Sequence, residues 1–304
     1  MAISRTQLVK ELEPGLNALF GLEYKRYENQ HAEIYVTESS DRAFEEEVML
    51  SGFANAQTKA EGSGVAFDSA QETYTARYTH DTIALAFAIT EEAIEDNLYD
   101  RISSRYTKAL ARSMSNAKQV KAVTPLIDGL PSTDSFDSGD GVSLFNTAHT
   151  TVSGTNVKNT LTTQADLNET SLEQSLIDIA AMTDERGLRI AARGVKMIVP
   201  SANQFTAERL MKSQGRTGTA DNDINAIGSM GMIPQGYRVN NYLTDSDAFY
   251  IITDVPNGMK MFNRAPLTTA MEGDFDTGNV RYKARERYSF GVSDPRGIYG
   301  VEGA

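Results

Sequence analysis

Apolar side chains recur at spacings of three and four over TEEAIEDNLYDRISSRYTKALARSMSNAKQVKA, from Thr90 to Ala122. Ile94, Leu98, Ile102, Tyr106, Ala109, Leu110, Ser113 or Met114, and Ala117 fall on one stripe, which predicts a long amphipathic helix with one packed face and one wet face. Thr90 is placed to cap it. Glu91, Glu92, Glu95 and Asp96 suit the positive end of the helix dipole, and Arg101, Arg105, Lys108, Arg112, Lys118 and Lys121 fill the later turns. Pro125 has no amide to donate, so the pattern predicts an end near Val123. At 1.5 Å per residue such a helix spans roughly 45 to 50 Å, long for a globular protein.

Ahead of it, Leu8, Leu12, Leu16 and Leu19 or Phe20 predict a short helix with too little apolar surface for a core of its own. That reads as a docking arm, and Glu11 with Glu13 on its polar side argue against a membrane anchor. From Ala43 to Ile89 the pattern turns to period two: Tyr74, Ala76, Tyr78 and His80 share one parity, Thr75, Arg77, Thr79 and Asp81 the other. Gly62, Ser63 and Gly64 mark a reversal, so the segment predicts a hairpin with arms on the order of 50 Å, which is marginal alone and must lie on something else.

Beyond the long helix, residues 132–163 are rich in Ser, Thr, Asp, Gly and Asn and predict a surface excursion of loops and short strands. A second helix follows, capped near Asn168 to Thr170, with Leu172, Leu176, Ile179 and Ala180 on one face and Gly187 as its stop. VKMIVPS (195–201) predicts a buried strand, and Ser201 with Gln204 predicts a capping box opening a third helix through Phe205, Leu210 and Met211. GRTGTADNDINAIGSMGMIPQG reads as a long Gly-rich connection outside the core. Strands are expected at 237–243, 248–253, 259–262 and 280–292, the last running into SDPRGIYG.

Composition narrows the class. The 304 residues are 40% hydrophobic and 23% charged, which suits a folded domain or two and excludes disorder throughout. No run of eighteen apolar residues exists and MAISRTQLVKELEPG lacks a secretory core, so a soluble chain made in the cytosol is expected. Cysteine is absent, which removes disulfides, thiolate chemistry and Cys-type zinc sites. A net charge of −12 argues against a protein whose main work is gripping phosphates.

Motifs for catalysis are missing. His31, His80 and His149 stand apart with no metal spacing, and the glycines of GRTGTAD fit neither a phosphate loop nor a dinucleotide turn. Asp134, Asp137 and Asp140 do not have calcium-loop spacing, while Glu91 with Glu92 and Glu45 to Glu47 read as a helix start and a solvated face. No catalytic, cofactor-binding or metal-ligating residue is predicted, and the chain is not expected to be an enzyme.

Three stretches, HDTIALAFAITEEAIEDNLYDRI leading into the long helix, GVKMIVPSANQFTAERLMKS, and RERYSFGVSDPRGIYG, resemble the major capsid proteins of tailed bacteriophages, Mu-type major head subunits among them. The resemblance covers nearly the whole chain in order. It implies the α+β Hong Kong 97-type fold: an N-terminal arm (1–42), an extended β-hairpin loop (43–89), the spine helix and peripheral domain (90–189), an axial domain (190–275) and a strand returning to the peripheral domain (276–304). It further implies self-assembly into hexamers and pentamers of an icosahedral shell around double-stranded DNA held without sequence specificity, in a virion assembled in the bacterial cytoplasm, with portal, scaffold and decoration proteins as partners and no membrane. Some relatives crosslink a loop lysine to a neighbour's asparagine; Lys59 lies in such a loop near Glu61, and nothing else in the sequence supports that chemistry. Two other readings fit the pattern, an encapsulin-like nanocompartment shell and an unassembled binding module.

Overall fold

The computed structural model describes residues 5–90, 92, 99–215, 223–274 and 278–304, with 5–13 and 99–102 described by backbone alone. Helix α1 (Arg5–Arg26) leads to strands β1 (Val36–Ser39), β2 (Phe44–Leu50), β3 (Glu72–Thr79) and β4 (Asp81–Ile89), then to the long helix α2 (Tyr99–Asp128). After the short strands β5 (His149–Thr150) and β6 (Asn156–Val157) come α3 (Glu169–Ala180), β7 (Gly194–Pro200), α4 (Gln204–Lys212) and α5 (Ala226–Met230). The chain closes with β8 (Tyr237–Asn240), β9 (Phe249–Thr253), β10 (Met259–Gly273), β11 (Val280–Val292) and β12 (Ile298–Val301).

These elements build a mixed α+β architecture around two four-stranded sheets, one in the order β1-β10-β11-β4 and one in the order β12-β9-β7-β8. In the first sheet β11 runs antiparallel to both neighbours, so its alternation sorts side chains cleanly onto two faces. Tyr282 and Ala284 pack inward with Leu16 and Phe20 of α1 and Leu110, Ala111 and Met114 of α2. The arm is pinned as well as buried: Asn17 Oδ1 accepts hydrogen bonds from Tyr282 (2.8 Å) and Thr269 (2.7 Å). The predicted docking of the arm is thus met by its own subunit. β10 tolerates Pro266 because β1 pairs only with residues 260–263 and the strand is bulged on either side of Ala265, so no ladder bond is lost there.

Around the second sheet, Leu172, Leu176 and Ile179 of α3 and Ala207 and Leu210 of α4 bury Met197, Val199, Phe249 and Ile251. The two sheets meet in a third cluster. There Val123 and Leu126 at the end of α2 and Leu130 just after it cluster with Ile198 and Tyr250 from one sheet and Met259, Met261 and Tyr288 from the other.

Several expectations need correction. The predicted start of the long helix at Glu91, with Ile94, Glu95, Asp96 and Leu98, lies outside the described residues, and Ile102 is described by backbone only. The packed face is Ser103, Thr107, Leu110, Ala111 and Met114, while Tyr106 is 52% exposed with its ring against Phe87 at 5.8 Å. Small side chains form the close contact, which a reading weighted by bulk overlooks. The helix also runs through Pro125 to Asp128, because in the last turn only the proline's own donor is missing and burial of Val123 and Leu126 outweighs it.

The 132–163 segment is no mere surface excursion. Leu144 and Phe145 are fully buried, and Asn159 donates to the carbonyls of Leu144 (2.7 Å) and Pro295 (3.0 Å). α3 has its cap at Asn168, in a capping box with Ser171, but ends at Ala180, well before Gly187. The Ser201–Gln204 box does not form: a 3-10 turn at Ser201–Asn203 precedes α4, no side chain caps it, and Phe205 is 70% exposed. The Gly-rich connection contributes Ile227 and Ile233 to the core, and β10 extends far past Phe262.

Leu126→Ala removes a fully buried side chain at the point where both sheets meet and should cost 2–5 kcal/mol, on the order of other buried leucine truncations. Urea denaturation checks this; a change of only a few tenths of a kcal/mol would mean that the junction is not packed.

Candidate assembly surface

The even positions of β11 face the helices, and the odd positions face away from them. On that outer face the base of the β2–β3 hairpin lies down at the Ser289–Ser293 end. Tyr78 stacks edge-on against Phe262 (4.7 Å between centroids) and its hydroxyl meets Ser293. Gly291 is required here, since a Cβ at that position would stand 2.6 Å from the Tyr78 ring. The predicted parity holds: Ala76, Tyr78 and His80 are buried while Thr75, Arg77 and Thr79 are exposed.

Charge fixes the hairpin base as firmly as packing. Lys260 of β10 pairs with Glu47 of β2 at 2.5 Å and with Glu38 of β1 at 3.2 Å. Burial alone would lower the Lys260 pKa, but the hydrogen bonds to the two carboxylates outweigh it and the pKa is raised. His80 bridges Ser40 and Ser289, at 2.9 Å each. The one hydroxyl hydrogen of Ser40 goes to Glu45 (2.7 Å), so Nε2 of His80 donates to Ser40 and Nδ1 accepts from Ser289. Burial, with the charge of Arg287 beside it, lowers the His80 pKa and keeps this neutral form.

From Ser51 to Gln71 the hairpin has no strand pairing. Gly62 turns in the left-handed region (φ 79°), the reversal predicted there, and Phe53, Val65 and Phe67 are exposed, Phe67 at 99%. Strand β4 leaves the hairpin altogether and pairs with β11 in the first sheet.

The other titratable groups form supports within the subunit. His149 sits between Asp140 (2.6 Å) and Asn159 (3.1 Å), both ring nitrogens facing oxygen acceptors. Nearby, buried Arg296 reaches Asp294 (2.8 Å), Glu185 (3.4 Å) and the carbonyl of Thr183 (3.1 Å). Burial raises the Glu185 pKa against the opposing pull of Arg296. The cavity lined by Tyr74, Asp140, His149, Glu185 and Arg296 is about 10 Å³, too small for a substrate. Asp134 and Asp137 stand apart from this group, and no cluster of three or more His, Cys, Asp or Glu able to hold a metal occurs among the described residues. Lys59 and Glu61 lie exposed at the turn of the hairpin.

The sequence matches the model of the phage capsid protein family over residues 72–301. The chain belongs to that family. No curated protein matches the sequence. Among solved structures, this capsid-family chain is similar to the procapsid protein of bacteriophage JBD30 (TM-score 0.55, 13% identity, covering 99% of this chain and 77% of that one). It is also similar to the capsid of Myoviridae phage XM1 (TM-score 0.53, 9% identity, 89% and 90% covered) and to a virus-like particle from Pyrococcus furiosus (TM-score 0.51, 9% identity, 94% and 98% covered). At these identities the likeness is one of fold.

Sequence reasoning missed the ion pairs that organise the capsid-family chain, because their partners are far apart: Glu47 and Lys260, Lys118 and Glu286 (3.2 Å), Glu185 and Arg296. One local signal was available in SDPRG, where Asp294 caps the turn at Pro295–Gly297 by accepting from the Arg296 amide.

Arg296→Met would leave Asp294 and Glu185 buried without their cation and should cost about 3–5 kcal/mol, read as a fall in melting temperature. His31 is different in kind. Burial, helped by Lys118, lowers its pKa to about 4 while Gln119 donates to its Nδ1 at 2.9 Å. The unfolded chain then takes up a proton near pH 6.5 that the folded chain refuses until about pH 4, so stability is lost as pH falls through that window, by up to about 3 kcal/mol. His31→Asn should flatten the fall in melting temperature between neutral and acid pH; an unchanged slope would mean that His31 is protonated in the fold.

Proposed function

We propose that this chain is the major capsid protein of a tailed bacteriophage, a subunit of the Hong Kong 97 type related to Mu-type head proteins. Membership of the phage capsid family supports the shell role, and the element order supports the type: docked arm, hairpin projecting from a sheet, long helix, and a second αβ layer. On this reading copies assemble as hexamers and pentamers of an icosahedral head around double-stranded DNA, with no sequence-specific grip on it. Portal, scaffold and decoration proteins are its expected partners, the virion is its location, and assembly takes place in the host cytoplasm. Its role is structural. The encapsulin-like alternative is not favoured, since the family match is to phage capsids.

The observation that carries the reading is the unpaired part of the hairpin. Phe53, Val65 and Phe67 stand in solvent on a segment with no core of its own, an arrangement that is a liability in a monomer and useful only when a neighbour covers it. The segment 43–89 thus combines an assembly arm with strands that belong to the subunit's own body, and the arm proper lies between Ser51 and Gln71.

Replacing residues 52–70 by a short glycine linker should separate folding from assembly. Circular dichroism and thermal melting should match the parent, because β2, β3 and their contacts remain, while closed particles vanish from negative-stain micrographs. Normal particles would show that the loop is ornamental and remove the main support for this reading.

A further inference from the structure

The hairpin base covers only one end of the outer face of the first sheet. Beyond Ser289 the odd positions of β11, Arg287, Arg285, Lys283 and Arg281, rise from that face, alternating with buried Glu286, Ala284 and Tyr282. Set two residues apart, they stand at intervals of roughly 6.8 Å and form a cation row on the order of 20 Å long. The flanking strands leave it open: β4 presents Ala84, Ala86 and Ala88, and β10 presents Thr268 and Ala270, all exposed and all short. Arg281 is held by Asp274 at 2.5 Å. Lys283 and Arg285 are exposed, with no ion pair to a carboxylate among the described residues.

The same face already shows how this chain satisfies such a cation. Lys260, opposite Gly291, is met by Glu47 from a strand laid across the sheet. Lys283 and Arg285 are left exposed, with no strand laid over them among the described residues.

We propose that Lys283 and Arg285, on their platform of alanine and threonine, form an intersubunit docking surface whose occupant is a carboxylate-bearing strand or loop of a second copy of this chain. The inference rests on the shell reading above. Copies of a chain with net charge −12 repel one another at contact distance, so a side-by-side arrangement requires cations on one copy to meet carboxylates on the next. The flat platform lets a backbone approach closely, as short side chains do wherever two layers pack. A nucleic acid fits the row less well. Asp274 and Glu272 stand at its Arg281 end and Glu45 of the hairpin base at the other, so carboxylates flank the row where a duplex would bring about 12 phosphate charges over the same 20 Å.

The test compares the parent chain with Lys283→Glu/Arg285→Glu and with Lys283→Arg/Arg285→Lys across a range of salt, following particle size by light scattering and fold by circular dichroism and melting. Both variants should melt like the parent, since the side chains are exposed. The reversed pair should lower the assembled fraction by about tenfold or more, the conservative pair should not, and assembly of the parent should weaken as salt rises. Equal assembly by the parent and the reversed variant overturns the proposal alone. A reversed variant that assembles normally but loses retention of duplex DNA in a filter-binding assay overturns it in favour of a nucleic-acid face. A parent that stays monomeric under every condition overturns the shell reading and this inference with it.

Discussion

The subunit depends on the burial of one side of α2. Near its middle Leu110, Ala111 and Met114 close over β11 and the arm, and toward its end Val123 and Leu126, with Leu130 just beyond it, reach the seam between the two sheets. Each fully buried leucine or methionine is worth about 1.5–3 kcal/mol, so one helix contributes to the packing of the arm and of both sheets. The contact face explains how the arm can come so close: Ser103, Thr107, Ala111 and Ser115 are small, and short side chains let the helix settle low on the sheet. Lys118 and Glu286 sit at the middle of this interface, where burial raises the carboxyl pKa against the pull of the lysine. A charged pair there adds little net stability, but it favours the helix register in which Lys118 reaches Glu286.

Legibility followed the range of the interaction. Helices and strands set by local period were readable: α3 with its Asn168 cap, β7 as VKMIVP, the alternation of β3, and most of α2. Features set by tertiary contact were not. Pro125 stays helical because Val123 and Leu126 are buried, Ser201 gives up its box to a 3-10 turn, and Leu144, Phe145 and Ile233 enter the core from segments whose composition reads as loop. The site was hidden for the same reason. The ion pairs beneath the hairpin base join residues about two hundred positions apart, and no spacing in the sequence announces them. The alternating cations of β11 were legible in VRYKARERYS, but only the strand register shows that their neighbours on both sides are small.

Buried charge in this chain is concentrated where separate segments converge. Arg296, Asp294 and Glu185 tie the turn before β12 to the turn between α3 and β7, while Lys260, Glu38 and Glu47 tie the hairpin base to the first sheet. Such groups tolerate few alternatives, since an unpaired charge in these positions costs several kcal/mol. For a subunit that must present an identical shape many times over in one shell, the specificity of these contacts matters more than their modest net energy.

The outer face of the first sheet brings these constraints together. One half is covered by the subunit's own hairpin base, through an aromatic contact, a glycine that permits it, and a lysine met by two carboxylates. The other half repeats the cationic part of that design without the cover. Beyond the base anchored on this face, the hairpin carries its exposed Phe53, Val65 and Phe67 in solvent. Each copy therefore exposes apolar surface on a projecting segment and positive charge on a bare sheet, and in a shell of identical subunits both are relieved by the same event, contact with another copy. Because salt screens the charged contact and does not weaken apolar burial, rising ionic strength acts on the two terms differently. On the proposed reading the hairpin contact sets whether subunits associate, and the cation row sets under what conditions the association holds.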